Sequence, residues 1–244
     1  YPVSEQPLFA QCLSAVDSVS TLAELETVIA SIRDCYRLSH LVFHVVRLGA
    51  SDADHPLILS TYPSAWTEYY IENDFFAVDP VVTVSRVGLL PVDWSSLDRK
   101  NATTRRFFRE ADTYGVGRFG LTVPIRGPAG ERSLLTATSN STEHGWRALR
   151  ADCKPDLQLL APYIHEKALS VSDLRTTAMQ NLSRRQLECL DLLAQGRLPK
   201  QIAAHLAISE SSVRLHIRLA RRKLGGLTTT QAVGRAVEIG IIRG

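Results

Sequence analysis

A set of arginines near the C-terminus lies on one face of a predicted helix, at Ile208–Gly225. Apolar residues of this segment recur at i, i+4, i+7 and i+11 and form one stripe: Val213, Ile217, Ala220 and Leu224. Its cations recur at i, i+4, i+7 and i+8 on another face: Arg214, Arg218, Arg221 and Arg222. A helix anchored by such a stripe can offer these arginines to a polyanion, as reading a DNA major groove requires. The alternative is a solvated helix whose charges only favour solubility.

A second set of residues with chemical potential combines aromatic rings and one carboxylate in the middle of the chain. Trp66 and Tyr70 are four residues apart, so they share one face of a short predicted helix, and each carries a hydrogen-bond donor. Asp79 lies in the apolar run FFAVDPVV, where an unpaired buried carboxylate would be costly and a ligand amide N–H would satisfy it. The alternative is a pair of core aromatics with a capping Asp79 before Pro80.

Charge is unevenly distributed along the chain. The 244 residues carry a formal net charge of +3. From Asn181 onward there are eleven Lys and Arg against four Asp and Glu, a net of +7, while residues 1–180 have a net of −4. Basic charge confined to a small helical module indicates nucleic acid as the partner rather than a generally basic surface.

The neighbouring segments supply a helix-turn-helix frame for the arginine helix. Ser183 is a predicted N-cap and Gly196 a predicted C-terminal stop for a helix over Arg184–Gln195. A short helix begins at Pro199, and a last amphipathic helix covers Thr230–Ile239. Four helices of which the third is cationic predict a tetrahelical DNA-binding domain.

The first part of the chain predicts an α/β domain, and its length is enough for a sizeable core. The predicted helices are Leu13–Cys35 and Arg147–Ser172, the second interrupted or kinked near Pro155 and Pro162. The predicted strands are His40–Leu48, Pro56–Tyr62, Gly120–Ile125 and Ser133–Ser139. Helices that flank an antiparallel sheet make an α-β-α sandwich with room for a cavity between layers.

The predicted fold class is therefore α+β, with three consecutive parts. An N-terminal α-β-α sandwich, with room for a ligand between its layers, is expected to cover residues 1–165. A linker covers residues 166–180, and a C-terminal all-α tetrahelical helix-turn-helix domain covers residues 181–244.

The C-terminal module resembles that of LuxR-type regulators. It contains LSRRQLECLDLLAQGRLPKQIAAHLAISESSVRLHIRLARRKLGG, and the match extends through QAVGRAVEIGII. Gln186 stands where the family usually has glutamate, which puts an internal ion pair with a buried arginine in doubt. The resemblance places Arg214 and Arg218 where family members contact base edges. It also gives candidates for phosphate contacts, which position without specifying sequence: Ser211, Ser212, His216, Arg221, Arg222 and Lys223. For His216, an ordinary surface histidine is an equal alternative.

The N-terminal part carries the spacing W-x3-Y-x8-D-P-x13-W, which resembles the autoinducer-binding signature of LuxR-type quorum-sensing receptors. The resemblance implies that Trp66 donates its indole N–H to the lactone carbonyl of an N-acyl homoserine lactone. It implies that Tyr70 donates to the acyl carbonyl and that Asp79 accepts the amide N–H. Trp94 would pack against the lactone ring, and Thr136 would assist through its hydroxyl or a water.

The acyl chain is expected to lie along a looser set of mostly apolar residues: Val42, Tyr62, Tyr69, Phe75 and Leu121. His44 shares a strand face with Val42 by two-residue alternation. It is either at the tail end of the pocket or, as the preferred interpretation, a packed or solvent-facing histidine.

The resemblance implies a ligand-responsive transcriptional regulator of quorum sensing. Ligand binding would stabilise the fold, and a homodimer would present two arginine helices to double-stranded DNA with dyad symmetry, an inverted repeat. Activation of transcription is the expected outcome, with RNA polymerase as a further partner. The family alternative is a regulator without a cognate synthase that answers a foreign or different signal, or that acts as a repressor.

Two other classes fit the sequence less well. A phosphorylation-controlled response regulator shares the C-terminal module, but residues 1–170 lack the acidic and lysine pattern of a receiver. An enzyme is not expected, because no nucleophile motif, metal spacing or phosphate loop accompanies Asp79 and His44. No cofactor or metal is expected either.

The cysteines and the hydropathy indicate the cellular compartment in which the protein is expected. Four cysteines without a CxxC pair indicate reduced thiols in a cytoplasmic protein: Cys12, Cys35, Cys153 and Cys189. With no apolar run of 18 residues and no visible signal peptide, no membrane contact is expected.

Overall fold

A computed structural model describes residues 7–48, 54–85, 88–127, 130–172, 174, 182–224, 228–238 and 240–242. These residues form two compact units. The first contains a five-stranded sheet and the helices up to Val171, and the second contains the four helices between Arg184 and Glu238. The predicted α+β class, with a mixed first unit and an all-helical second one, is confirmed.

The first unit begins with two helices where the sequence predicted one. α1 covers Leu8–Ser18 and α2 covers Leu22–Cys35. The prediction of a single helix over Leu13–Cys35 is wrong, because Val19 has extended backbone angles and Thr21 caps the second helix. The Thr21 hydroxyl accepts from the backbone N–H of Glu24, a capping bond of the kind that stabilises a helix start by about 1 kcal/mol.

Five strands form the sheet, in the order β2-β1-β5-β4-β3. Their bounds are β1 His40–Arg47, β2 Asp54–Ser60, β3 Val92–Asp93, β4 Phe119–Arg126 and β5 Arg132–Ser139. β4 pairs antiparallel with both β5 and β3, and Thr122 lies opposite both Thr136 and Val92. The four predicted strands are all present within two residues of their predicted ends.

Four short helices and one turn connect β2 to β4. The helices are α3 Ser64–Glu72, α4 Phe75–Val78, α5 Pro80–Ser85 and α6 Ala102–Thr113. A 3-10 turn, Trp94–Ser96, directly follows the edge strand β3. The predicted short helix with Trp66 and Tyr70 on one face is α3.

A long helix, α7 Glu143–Val171, completes the first unit and is continuous through Pro155 and Pro162. The predicted interruption is wrong, and the alternative of a kink near these prolines stays a prediction. Each proline removes a hydrogen bond and costs about 3 kcal/mol, but the helix buries a long apolar face that outweighs this cost: Trp146, Leu157, Leu160, Ile164 and Leu169. Within the described ranges, no helix is both long and apolar enough to cross a membrane.

α7 also reaches into the segment that the sequence assigned to a linker. It continues through residues 166–171, and most of the remaining segment up to residue 180 lies outside the described residues. The domain limits 1–165 and 181–244 therefore stay predictions.

Alternate residues of the strands face opposite helical layers. On one face, the Ser133 hydroxyl of β5 lies 3.0 Å from Nδ1 of His165 in α7, and the Phe43 ring of β1 contacts the same imidazole. The neighbouring residues Val42 and Leu134 point to the other face, where α3 to α6 lie. This alternation produces the predicted α-β-α sandwich.

The second unit contains α8 Arg184–Ala194, α9 Pro199–Leu206, α10 Glu210–Lys223 and α11 Thr229–Glu238. The Ser183 hydroxyl caps α8, and Gln186 returns the bond to the Ser183 N–H in a capping box. Gln186 is buried, so the residue that departs from the family pattern keeps a structural role in this helix start. Gly196 has a φ of 79° after α8, as predicted for a C-terminal stop.

Candidate ligand-binding cavity and DNA-binding helix

A cavity lies between one face of the sheet and the helices α3 to α6. Its volume is about 80 Å³, and its wall combines mostly apolar residues with a few polar groups, as is typical of small-molecule sites. Seven of the ten residues expected to contact the ligand line it: Val42, Tyr62, Trp66, Tyr70, Asp79, Trp94 and Thr136. The structure thus brings together residues that are up to 94 positions apart in the sequence.

Asp79 is the only carboxylate in the described wall of this cavity, and its side chain is 7% exposed. Its Oδ1 accepts the backbone N–H of Val81 at 2.7 Å and of Val82 at 3.4 Å, at the start of α5. Its Oδ2 accepts the hydroxyl of Tyr70 at 2.8 Å. The alternative of a capping Asp79 before Pro80 is therefore confirmed: the cap on α5 and the Tyr70 hydroxyl satisfy the carboxylate within the protein.

Burial changes the acidity of both members of this pair. Desolvation raises the pKa of Asp79 to about 6, although the bonds from Tyr70, Val81 and Val82 favour the charged form and oppose the shift. Desolvation and the neighbouring Asp79 also raise the pKa of the Tyr70 hydroxyl far above its usual value. Tyr70 therefore stays a proton donor at neutral pH.

Trp66 projects from α3 into the wall of the cavity. Its ring is 5.6 Å from that of Tyr70 and is 2% exposed. Behind it lies an aromatic cluster that includes Phe75 at 5.8 Å and Phe107 at 5.9 Å. Packing against several rings fixes the indole in one orientation, which is the state a hydrogen-bond donor for a ligand needs.

Trp94 closes one end of the cavity from the 3-10 turn. Its indole N–H donates to the Thr122 hydroxyl at 3.1 Å, and that hydroxyl lies 3.0 Å from the Thr136 hydroxyl. The ring lies across Gly120, where an added Cβ would be 2.3 Å from a ring carbon. A close approach of this kind requires glycine, which explains the glycine in GLTVPI.

Several cavity residues are not in the predicted set. Phe76, Ile58, Val82 and Leu134 contribute to its apolar wall. His44 also lines it, is 8% exposed and packs against Phe76 at 5.6 Å. Two-residue alternation from Val42 and Thr136 identifies His44 and Leu134, whereas Ile58, Phe76 and Val82 have no comparable signal in the sequence.

Three residues expected along the acyl chain lie elsewhere. Phe75 belongs to the cluster behind Trp66, and Tyr69 stacks on Tyr114 at 5.0 Å. Leu121 alternates with Thr122 on β4 and is buried in the core. These positions support the cavity without forming its wall.

In the second unit, α10 presents the predicted arginine face. Its stripe, Val213, Ile217, Ala220 and Leu224, is buried as predicted. Ser209 caps the helix by accepting from the backbone N–H of Ser212 at 3.1 Å. The predicted base-contacting residues, Arg214 and Arg218, are exposed.

The remaining DNA-binding candidates differ in their surroundings. Ser211, Arg222 and Lys223 are exposed, and Ser212 and Arg221 are half-buried. Arg214 forms an exposed ion pair with Glu210, whose Oε1 lies 2.5 Å from Nη2. His216 is half-buried, and its Nδ1 is enclosed without a hydrogen-bond partner among the residues that the structure describes. It is therefore a weaker candidate for a phosphate contact than the exposed cations.

The cavity and the basic helix define a ligand-binding DNA-binding protein, and comparisons with known proteins agree. The family described as "Autoinducer binding domain" matches residues 21–168, and that described as "Bacterial regulatory proteins, luxR family" matches residues 180–236. Transcriptional activator protein RaiR of Rhizobium etli is 47% identical over 184 residues, which are 75% of this chain and 76% of RaiR. Transcriptional activator protein AhyR of Aeromonas hydrophila is 29% identical over 196 residues, 76% of this chain and 73% of AhyR.

Solved structures show the same fold. A crystal structure of Escherichia coli SdiA matches with a TM-score of 0.75 and 22% identity, over 97% of this chain and 98% of SdiA. The chain therefore belongs to the LuxR family of bacterial transcriptional regulators, with an autoinducer-binding domain followed by a DNA-binding domain. The prediction of a LuxR-type transcriptional regulator is confirmed by the two family matches and by these relatives, which are named transcriptional activators.

The contact between Gly120 and Trp94 leads to a first prediction. Gly120→Ala places a methyl group inside the indole ring, so we expect the free energy of unfolding to fall by about 1–3 kcal/mol. Denaturant unfolding measures this change. The control is Gly234→Ala in α11, where an added Cβ meets nothing within 4 Å and helix propensity favours alanine by about 0.5–1 kcal/mol. Equal effects of the two substitutions would contradict the assigned contact.

The raised pKa of Asp79 leads to a second prediction. Because the folded pKa, about 6, exceeds the unfolded value of 3.8, the folded state binds the proton more tightly than the unfolded chain. This stabilisation is present at low pH and is lost as pH rises through about 6, by about 3 kcal/mol in total. Asp79→Asn should remove that decline, as measured by denaturant unfolding from pH 4 to 7. The exposed Asp152→Asn should keep it; parallel curves for wild type and Asp79→Asn would refute the assignment.

Proposed function

We propose that this protein binds an N-acyl homoserine lactone in the cavity and, as a homodimer, an inverted-repeat promoter site. The observation that carries the proposal is the meeting of Trp66, Tyr70, Asp79 and Trp94 in the wall of one cavity. The cavity lies within residues 21–168, which match the autoinducer-binding domain. A solved structure of similar fold, CepR2 of Burkholderia cenocepacia, is described as N-acylhomoserine lactone dependent; it has a TM-score of 0.53 and 20% identity.

The polar head of the ligand would lie among these four residues. Trp66 donates to the lactone carbonyl, Trp94 packs against the lactone ring, and Thr136 assists through its hydroxyl or a water. Tyr70 donates to the acyl carbonyl, and Asp79 accepts the amide N–H. Since Tyr70 has a single hydroxyl proton, it exchanges its bond to Asp79 for one to the acyl carbonyl, while the ligand amide replaces it on Asp79.

The acyl chain would follow the apolar part of the wall. Val42 and Tyr62 lie there with residues that the sequence did not single out: Ile58, Phe76, Val82 and Leu134. Burying each methylene in such surroundings contributes about 0.8 kcal/mol.

The output would be transcriptional. Arg214 and Arg218 read base edges, and the cations and hydroxyls around them contact phosphates: Ser211, Ser212, His216, Arg221, Arg222 and Lys223. Two copies related by a dyad place two α10 helices on two half-sites. We infer activation through RNA polymerase, since RaiR and AhyR are named transcriptional activators. Contact with genomic DNA places this function in the cytoplasm.

A second candidate ligand class is a fatty-acyl compound without a lactone. SdiA has been solved in complex with octanoyl-rac-glycerol, with a TM-score of 0.69 and 21% identity to this chain. An ester of this kind lacks the amide N–H that Asp79 would accept. Its glycerol hydroxyls can also donate to Asp79, so the two classes are separated first by which compound the protein retains.

The ligand is tested by expressing the protein with N-butanoyl, N-octanoyl or N-dodecanoyl homoserine lactone, with octanoyl glycerol, or with no addition. Mass spectrometry then identifies the bound compound, and thermal melting measures stabilisation. At 100 times Kd a ligand contributes about 2.7 kcal/mol, or roughly 5–10 °C in Tm. We expect a lactone to be retained and to raise Tm, and Asp79→Asn to remove most of this increment.

The exposed Asp152→Asn is the matched control and should respond like the wild type. If octanoyl glycerol is retained and no lactone is, the second ligand class is correct. If no compound is retained or raises Tm, the cavity does not serve this function.

The DNA contacts are tested by two arginine substitutions, with the stabilising ligand present. Arg214→Ala should weaken binding to an inverted repeat more than binding to a scrambled site. The difference in binding free energy between the two sites should fall by about 1–3 kcal/mol. Arg222→Ala should weaken both sites alike and reduce the dependence of log K on log salt by about one. Fluorescence anisotropy over a salt series measures both quantities. Equal loss of discrimination in the two variants would overturn this division of roles.

A further inference from the structure

Trp94 depends on an edge strand too short to hold it. β3 consists of Val92 and Asp93, which lie opposite Thr122 and Leu121 of β4. Two residues supply few ladder hydrogen bonds, so side-chain contacts must determine where the following turn lies.

Asp93 makes those contacts with both carboxylate oxygens and with its backbone carbonyl. Its Oδ1 accepts the backbone N–H of Ser95 at 2.8 Å and caps the turn Trp94–Ser96. Its backbone carbonyl accepts the Ser96 hydroxyl at 2.7 Å. Its Oδ2 is paired with Nη1 of Arg150 on α7, and the carboxylate is 16% exposed. Although burial raises the pKa of Asp93, its bonds with Ser95 and Arg150 hold that pKa below the usual value.

Arg150 itself does not line the cavity. It projects from the first third of α7, a helix whose buried residues Trp146, Cys153 and Leu157 fix it in the first unit. The ion pair therefore ties the turn that carries Trp94 to a rigid element. On its other side, the indole is held by Gly120 and by the bond to Thr122.

We propose that Arg150 is a positioning residue for the ligand: through Asp93 it holds the Trp94 indole at the lactone end of the cavity. The proposal rests on the proposed function in one respect, that Trp94 packs against the lactone ring. Without Arg150, the Ser95 cap remains but Oδ2 of Asp93 loses its charged partner, so the turn gains freedom. The Trp94 ring then no longer presents a fixed face to the ligand.

The position of Trp94 is tested first without ligand, so that the outcome does not depend on the proposed function. The chain has three tryptophans, Trp66, Trp94 and Trp146, so 5-fluorotryptophan labelling gives three ¹⁹F resonances, and Trp94→Phe assigns one. Arg150→Met and Asp93→Asn should both shift or broaden the Trp94 resonance and leave the other two unchanged. Arg147→Met is the matched control, since Arg147 pairs with Glu143 on the exposed surface of the same helix.

Unchanged Trp66 and Trp146 resonances show that a variant is folded. Two results overturn the proposal: an unmoved Trp94 resonance in Arg150→Met, or a change of equal size in Arg147→Met. If all three resonances of Arg150→Met change together, Arg150 supports the unit as a whole and the specific role is refuted.

Ligand affinity then tests the consequence through a double-mutant cycle, with N-octanoyl homoserine lactone as the probe. Arg150→Met and Trp94→Phe should each raise Kd about tenfold, and the double variant should be no weaker than Trp94→Phe alone. Additive losses would show that Arg150 acts independently of Trp94 and would overturn the proposal. If wild type does not bind the probe but the ¹⁹F result holds, the proposed ligand is wrong while the positioning of Trp94 by Arg150 stands.

Discussion

The buried carboxylate of Asp79 is the constraint on which the cavity of the first unit depends. Removing a carboxylate from water is expensive unless hydrogen bonds replace those of the solvent. Here the two N–H groups at the start of α5 and the Tyr70 hydroxyl replace them. The same arrangement fixes α3 relative to α5, because its partners lie on these two helices. The carboxylate that would recognise a ligand is thus also the group whose hydrogen bonds join α3 and α5 in the cavity wall.

Local features of the sequence predict the elements well where a side chain bonds to its own helix. Ser183 caps the helix that it was expected to cap, and the apolar stripe of α10 is buried as its spacing indicates. The prediction fails where distant packing overrides local preference. α7 stays helical through Pro155 and Pro162 because its apolar face is buried, and periodicity alone does not weigh that burial against the cost of a proline.

The candidate site divides in the same way. The signature spacing identifies Trp66, Tyr70, Asp79 and Trp94, but the partner of Asp79 could not be derived from it. Tyr70 reaches the carboxylate only because α3 and α4 are joined by a turn in which Asp74 has a φ of 49°. Phe76 and Val82 enter the wall for a similar reason, since the directions of the short helices α4 and α5 are set by tertiary packing.

The exchange at Tyr70 has a consequence for how a ligand would be selected. In the proposed complex, the ligand amide replaces the Tyr70 hydroxyl on Asp79, and that hydroxyl donates to the acyl carbonyl instead. Binding would therefore replace an existing hydrogen bond within the protein, so that the net number of hydrogen bonds rises little. Net hydrogen-bond gains are modest even in favourable cases, about 0.5–1.5 kcal/mol each. Burial of the acyl chain contributes about 0.8 kcal/mol per methylene, so six methylenes supply roughly 5 kcal/mol. In the proposed complex the polar groups would therefore orient the ligand, while the fit of its chain against the apolar wall would supply most of the affinity and distinguish one chain length from another.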